Sequence, residues 1–539
     1  MIHRRDVLRT AALGFGTLLL PTTGLAATGG AFTHGIASGE PGAQSVLLWT
    51  RYLAAQDSRL RCEVATDRNF RQVVGGGEVI ADPERDHTAR ITVDGLRPDR
   101  WYFYRFVDRH GRSSPVGRTR TLPESGTDRF GIGLFSCSNL GFGFFNAYAH
   151  AAERRDLDLV VHVGDYLYEY ARGTYPDTAQ ALPSRVLSPE HEIVSLEDYR
   201  VRHAIYRDDP DLQRLHARFP MVCMWDDHEL ANDAWRDGAE NHQPAAEGDW
   251  GTRKQVAQQA YRDWMPVSDD NWRQYQIGEL ATLFKIETRI TGRSAPLSLT
   301  TALKGQADVS KALVDFRDLI WNDEARTLMG TTQEQWLYNG LRTSQATGTK
   351  WQILAQQVVM GSLSMPAIAS RWLPSDASPQ RRQQAMAMVA AATLGLPFNF
   401  DSWDGFPAAR RRLFKAALES DSNLVVLSGD SHNGWGQNLG EEALPDAGVE
   451  FACQAVTSPG MERYLANVAP AKLSGALMAA NPGLVVNDTS RRGYVSLNLT
   501  AQSVSGTWHF LKSVRERNTG IAENVRATVT RGQRRLIPG

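Results

Sequence analysis

Apolar and polar positions fall into two regimes along the chain. From about Phe32 to Pro123, apolar residues come in short runs divided by turn residues. Examples are Val46-Leu47-Leu48-Trp49-Thr50-Arg51, Leu60-Arg61-Cys62-Glu63-Val64-Ala65 and, after Gly95-Leu96-Arg97-Pro98, the aromatic Trp101-Tyr102-Phe103-Tyr104-Arg105-Phe106. Such runs predict strands. Short strands separated by turns predict a small all-β domain of immunoglobulin or fibronectin type over residues 30–124. From Phe130 strand-like runs alternate with helical spacing, the mark of an α/β domain, here assigned to 128–520. Strands are expected at 130–135, 157–163, 221–225, 351–356 and 423–427, with helices at 144–155, 196–218, 334–345 and 408–419. Late strands at 450–457, 493–499 and 506–510 complete the sheet layer, and 521–539 reads as a C-terminal tail. Residues 170–190, rich in Pro, Ser, Gly and Ala, predict a long loop. The apolar stretch 381–400 predicts a packed helix, with a lid or a membrane-touching helix as the alternatives.

The first residues stand outside this pattern. Arg4-Arg5-Asp6-Val7-Leu8 is a twin-arginine pattern, followed by a mildly apolar stretch to Leu20 and small residues at Ala26-Ala27. This predicts a cleaved Tat-type signal over 1–27. The stretch holds Gly14 and Gly16, ends at Pro21, and is shorter than the ~20 residues of a membrane span. The expected partner during secretion is the Tat export machinery, and the expected location is periplasmic or secreted.

Composition narrows the function. Of 539 residues, 42% are apolar and 22% charged, as in an ordinary soluble globular protein. A formal net charge of -1 leaves no basic footprint for specific nucleic-acid binding. Four cysteines in so long a chain make no disulfide framework and lack zinc-finger spacing. Cys223 and Cys453 lie in apolar runs and read as core residues, whereas Cys137 belongs with the polar groups described next.

In an open α/β sheet, ligands bind beyond the carboxyl ends of the strands. Four predicted strands end in chemistry-bearing residues: Phe135-Ser136-Cys137-Ser138-Asn139, Val163-Gly164-Asp165-Tyr166-Leu167-Tyr168, Trp225-Asp226-Asp227-His228-Glu229 and Gly429-Asp430-Ser431-His432. Bunched carboxylates are costly to bury unless a cation neutralises them. A pair of ions sharing one carboxylate meets that need, and Asp165 is the natural bridge. Tyr168 as phenolate and Cys137 as thiolate favour a trivalent ion, with His432 completing its shell. Asp227 and Asp430 offer oxygen to a second ion, which suits Ca²⁺, Mg²⁺ or Mn²⁺ better than Zn²⁺.

Gly-Asp-x-x-Tyr, Asp-Asp-His-Glu and Gly-Asp-Ser-His, together with Asp401-Ser402-Trp403-Asp404-Gly405-Phe406, resemble the motifs of the calcineurin-like metallophosphoesterase superfamily, nearest its PhoD-type alkaline phosphatases and phosphodiesterases. The resemblance implies a four-layer α/β/β/α sandwich. It implies Fe³⁺ on Cys137, Asp165, Tyr168 and His432, similar to the phenolate-bound iron of purple acid phosphatases. It implies Ca²⁺ on Asp165, Asp227 and Asp430, with Mn²⁺, Mg²⁺ and Zn²⁺ as alternatives. His228 is then the catalytic residue that binds phosphoryl oxygens and protonates the leaving alkoxide. Glu229 is expected to orient it, with Asn232 and Asp233 behind the ligands. No persuasive Val-x-x-His motif is present, and Ala355-Gln356-Gln357-Val358 stands at the equivalent strand end.

The implied function is a secreted, metal-dependent phosphoric ester hydrolase. It would act on small-molecule phosphomonoesters, phosphodiesters or both, by in-line attack of a metal-activated hydroxide. A phospholipase D-like phosphodiesterase binding phospholipid headgroups under 381–400 is the alternative. A non-catalytic exported metal-binding or adhesion protein and an iron oxidoreductase are readings of other classes.

Overall fold

The computed structural model describes residues 31–54, 58–373 and 377–539, so the signal expected over 1–27 lies outside the described residues. Three sheets carry the architecture. The largest has ten strands in the order Leu536–Pro538, Ile521–Thr530, Ser503–Leu511, Gly493–Thr500, Arg129–Phe135, Leu159–His162, Pro220–Cys223, Ala31–Gly39, Val46–Leu53 and Thr88–Val93. Its centre is parallel, from Arg129–Phe135 to Ala31–Gly39, and its remaining pairs are antiparallel. A seven-stranded sheet runs Arg273–Ile277, Ala281–Lys285, Trp351–Ala355, Leu424–Ser428, Leu444–Ala452, Gly434–Glu441 and Leu484–Asp488, again with a parallel centre. Val73–Ala81, Ser58–Ala65, Trp101–Asp108 and Gly117–Arg120 form a small antiparallel sheet.

Alternation along the central strands divides the apolar side chains between separate cores, because successive residues of a strand point to opposite faces. Leu134, Val161 and Val222 of the ten-stranded sheet share one core with Leu283, Ile353, Val425 and Phe451 of the seven-stranded sheet. Their neighbours Phe135, Val160 and Met221 face the other way, onto Tyr148, Leu212, Leu215 and Tyr261 from the helices Asn146–Ala152, Pro210–Arg218 and Trp250–Trp264. On the second sheet, Phe284, Leu354 and Val426 pack against Leu337 and Leu341 of Thr331–Ala346 and Leu413 and Phe414 of Pro407–Glu419. Strands covered on both faces read as continuous apolar runs, and Leu159–His162 and Leu424–Ser428 are buried throughout.

Three sequence expectations change. The helix expected over 196–218 is two, Leu196–Arg207 and Pro210–Arg218. Proline has no N–H to give inside a helix but fits its first turn. Pro210 therefore opens the second helix, and the Asp209 carboxylate accepts the amides of Asp211 and Leu212. The residues read as a C-terminal tail are instead sheet: Ile521–Thr530 pairs with Ser503–Leu511 on one side and Leu536–Pro538 on the other. The N-terminal all-β region is not closed on itself. Ser38 and Gly39 pair in parallel with Pro220 and Met221, which makes three of its strands an extension of the ten-stranded sheet.

The 381–400 stretch contributes to the helix Pro379–Thr393 and the turn after it, with Ala391, Leu396 and Phe400 buried against Leu313 and Phe316. Among the described residues, no helix is long and apolar enough to cross a membrane.

The last strands place Ala527, Val529 and Leu536 in the core between the two large sheets. Ending the chain at Gly520 removes all three, a loss of about 3–6 kcal/mol if the valine and leucine alone are counted. Thermal unfolding of the truncated protein is expected at a clearly lower temperature; an unchanged transition contradicts this packing.

Candidate metal centre

Chain geometry at the strand ends is unusual and shared. Cys137, Asp165, Asp430 and His432 all adopt positive φ, at 62°, 54°, 60° and 63°. That region costs an L-residue roughly 1–2 kcal/mol, so four such residues in one place mean that their surroundings hold them there. Two glycines let the strands close in. Gly164 has φ 107°, and a Cβ on it would lie 2.4 Å from Asp226 Cβ. A Cβ on Gly429 would lie 2.2 Å from Ser136 Oγ. Each glycine directly precedes one of the aspartates.

The result is a buried nest of ligand atoms. Donor atoms of Cys137, Asp165 and His432 all lie within 4.8 Å of one another, and the same holds for Asp226, Asp227 and Asp430, and for Asp165, Asp227 and His228. Tyr168 joins the first group: its hydroxyl is 3.1 Å from Asp165 Oδ2 and 3.1 Å from His432 Nε2, and it accepts a bond from Ser458 Oγ (2.6 Å). All six expected metal ligands are therefore brought together, as is His228. Asp226, assigned no ligand role from sequence, stands among them.

Electrostatics explains what this nest lacks. Burial, and then the neighbouring carboxylates, push Asp165 well above the usual carboxylate range. Burial and the Asp226 charge do the same to Asp430. Burial and Asp165 raise both the Cys137 thiol and the Tyr168 phenol. Asp165 Oδ1 and Asp226 Oδ2 are buried with no hydrogen-bond partner. A multivalent cation satisfies these orphaned oxygens and allows the acids to ionise together. His432 is prepared for the same purpose. Burial pulls its pKa to about 3, so the ring is neutral, and Nδ1 lies 2.7 Å from the Pro459 carbonyl. With the Nδ1 proton donated there, Nε2 is left as the ligand atom. The residues present fit a metal.

Glu169, missed from sequence, holds His228. Its Oε2 is 2.7 Å from His228 Nδ1, while Oε1 accepts the Asn232 amide and the Asn241 side chain at 2.8 Å each. Against the burial that lowers it, Asp227, then Glu169 and Asp165, raise the His228 pKa well above its ordinary value, which favours the protonated ring. The expectation that Glu229 orients His228 is corrected. Glu229 accepts the backbone amides of Asp165 (3.1 Å), Tyr166 (2.7 Å) and Asp226 (2.8 Å), which ties two strand ends together. The Asp233 amide in turn donates to Asp227 Oδ2 (2.7 Å).

Arg289 is the other unforeseen residue. It follows the strand Ala281–Lys285, is fully buried, and donates to Asp226, to both Asp401 oxygens (2.8 and 2.7 Å) and to Asp430 (3.2 Å). Gln356 and Gln357, at the end of the next strand, take no part in the nest. Gln357 bonds Thr288 (2.6 Å) and the Trp225 carbonyl (2.9 Å), and Gln356 accepts the Trp403 indole (3.0 Å). Ala281–Lys285 is not among the strands expected from the sequence, and Arg289, beyond its end, is a cation where a metal centre calls for acids and histidines.

Comparison with known proteins agrees with this geometry. The PhoD-like phosphatase family model matches residues 130–508, and that of the PhoD-like phosphatase N-terminal domain matches 21–123. The chain is 32% identical over 519 residues to alkaline phosphatase D of Bacillus subtilis (strain 168), covering 91% of this chain and 79% of that protein. The solved structure of PhoD superposes with a TM-score of 0.76 at 30% identity, covering 94% of this chain and 92% of that one. Fold and sequence thus define a hydrolase of phosphoric esters. The chain belongs to the PhoD-like phosphatase family.

Glu169 acts on the site only through His228 and neighbouring amides. Glu169→Gln is expected to lower turnover by about 10–100-fold while metal content stays unchanged. Wild-type turnover in the variant, with metals retained, contradicts the role given to this pair.

Proposed function

We propose that the chain is an exported, alkaline phosphatase D-like enzyme that hydrolyses phosphomonoesters, phosphodiesters or both at two cations bridged by Asp165. The observation that carries this reading is the position of Asp165: its carboxylate belongs at once to the group with Cys137 and His432, which Tyr168 joins, and to the group with Asp227 and His228, with one oxygen unpartnered.

The donor chemistry suggests the ions. A thiolate, a phenolate, a carboxylate and an imidazole on Cys137, Tyr168, Asp165 and His432 suit Fe³⁺. Asp165, Asp227 and Asp430 suit Ca²⁺, with Mn²⁺, Mg²⁺ or Zn²⁺ as alternatives. When bound, such ions draw charge from phosphoryl oxygens and lower the pKa of water.

The chain's own residues supply the rest. In-line displacement at phosphorus leaves an alkoxide that needs a proton, and His228, held protonated by Glu169 and Asp227, carries one. Arg289 restrains Asp430 and Asp226, so that their carboxylates keep their places through the reaction.

Helices on the outer faces of both large sheets, with a shared core between the sheets, support the four-layer α/β/β/α arrangement. The small N-terminal sheet supports an immunoglobulin- or fibronectin-like unit over 30–124, with the catalytic domain beginning at about 128. The Arg4-Arg5 pattern supports twin-arginine export to the periplasm or beyond.

Two outcomes test the reading. The purified protein is expected to show a visible phenolate-to-Fe³⁺ absorption that Tyr168→Phe abolishes; a band that survives the change removes Tyr168 from the iron shell. Assayed beside each other on a phosphomonoester and a phosphodiester, His228→Ala is expected to keep its metals and lose about 10²–10⁴-fold in rate on whichever ester the wild type cleaves. Full retention of rate removes His228 from the mechanism.

A further inference from the structure

The strand end that carries Asp430 and His432 borders a second feature. Ser431, between those two residues, and Asn433, just beyond His432, line a cavity of about 430 Å³. Asn399 and Ser402, close to the Arg289 partner Asp401, line it too. Two parts of its wall are therefore sequence neighbours of the charged nest.

The rest of the wall is different in kind. Leu363, Met365, Trp372, Met388, Phe398 and Leu465 face the cavity, together with Trp435, whose indole donates to Ser431 Oγ (2.8 Å). Among the described residues that line it, none is a lysine, arginine or histidine, and the acidic one, Asp404, is paired with Arg410. An anionic group gains nothing by entering, whereas an apolar group does. Leu363, Trp372 and Trp435 belong to a buried satellite core, so this side of the cavity is preformed. On the other side Tyr464, also a lining residue, is 72% exposed. Its volume falls within the roughly 300–1,000 Å³ of small-molecule sites. Met365, Met388 and Met461 give its wall unbranched, adaptable side chains.

We infer that this cavity is the subsite for the organic group of the substrate: the preferred phosphoester carries an apolar substituent, such as an alkyl or acyl chain, seated there while phosphorus sits at the Asp165–Asp430 nest. The inference rests on the hydrolase reading above and names the substrate class that reading leaves open. A substrate whose alcohol is a sugar or a charged group forgoes this contact.

The test uses the metal-loaded full chain. Turnover of p-nitrophenyl phosphate is inhibited with n-alkylphosphonates from methyl to octyl, which place an apolar tail next to phosphorus and cannot be hydrolysed. The inhibition constant is expected to fall by about fourfold per methylene until the cavity is full. Ala385→Trp fills the cavity from the helix Pro379–Thr393, and Met388→Gln makes its wall polar; each is expected to flatten the series. A flat series in the wild-type protein, or an undiminished slope in both variants, overturns the subsite. Calorimetric titration with the same phosphonates reads the slope without turnover. A protein that binds by chain length yet cleaves no phosphoester therefore refutes the hydrolase reading and upholds the cavity's role.

Discussion

Carboxylates that are crowded together and removed from water need a countercharge, and the rest of this structure is arranged around that constraint. Asp165, Asp226, Asp227, Asp401 and Asp430 converge where the two large sheets meet, and Arg289 reaches all of them except Asp165. The side of the nest away from Arg289 holds Asp165, Cys137, Tyr168 and His432, and among the described residues no lysine or arginine is bonded to the side chain of any of the four; the one arginine there, Arg202, reaches only the Tyr168 backbone carbonyl. Buried unpaired charge is among the costliest features a protein can carry. A place of this kind, built from four strand ends, suits a cation.

Backbone and packing serve the same end. Four of the expected ligands, Cys137, Asp165, Asp430 and His432, sit in left-handed conformations that other contacts must enforce, and the contacts that enforce them are visible. Glu229 gathers three amides from two strand ends, Gly164 and Gly429 permit the close approach, and Ser458 and Pro459 fix Tyr168 and His432 from a later loop. Behind them the fully buried parallel strands leave little freedom to adjust. Local strain is thus stored where the chemistry is placed, supported by the extended apolar core between the sheets. His228 sits at the edge of this rigid assembly, its charge set by Glu169 on one side and the aspartates on the other.

Much of this was legible in the chain. Apolar runs that end in Cys137, Asp165, Asp227 and Asp430 show where the strands stop, because a buried strand tolerates such groups only at its end. What escaped has physical reasons. Ile521–Thr530 interleaves Glu523, Asn524 and Arg526 with its apolar residues, so it lacks the apolar run of a central strand; its core contacts come from Ala527 and Val529. Pro210 inside an otherwise continuous helical pattern was a signal of the break, overridden by the periodicity on either side. Glu169 directly follows Tyr168 and is distant in sequence from His228, so only the fold shows that they meet. Arg289 lies beyond the end of Ala281–Lys285, a strand the apolar pattern did not announce, and its cation is not a residue type that a metal site calls for.

The central claim is that the nest exists to bind cations, and anomalous X-ray diffraction from crystals of the protein measures this most directly. The account predicts an anomalous peak at the iron edge among Cys137 Sγ, Asp165, Tyr168 Oη and His432 Nε2, with a second ion between Asp165, Asp227 and Asp430. Crystals of freshly purified protein with no ion in either place, and Asp165 instead hydrogen-bonded as a neutral acid, would contradict it.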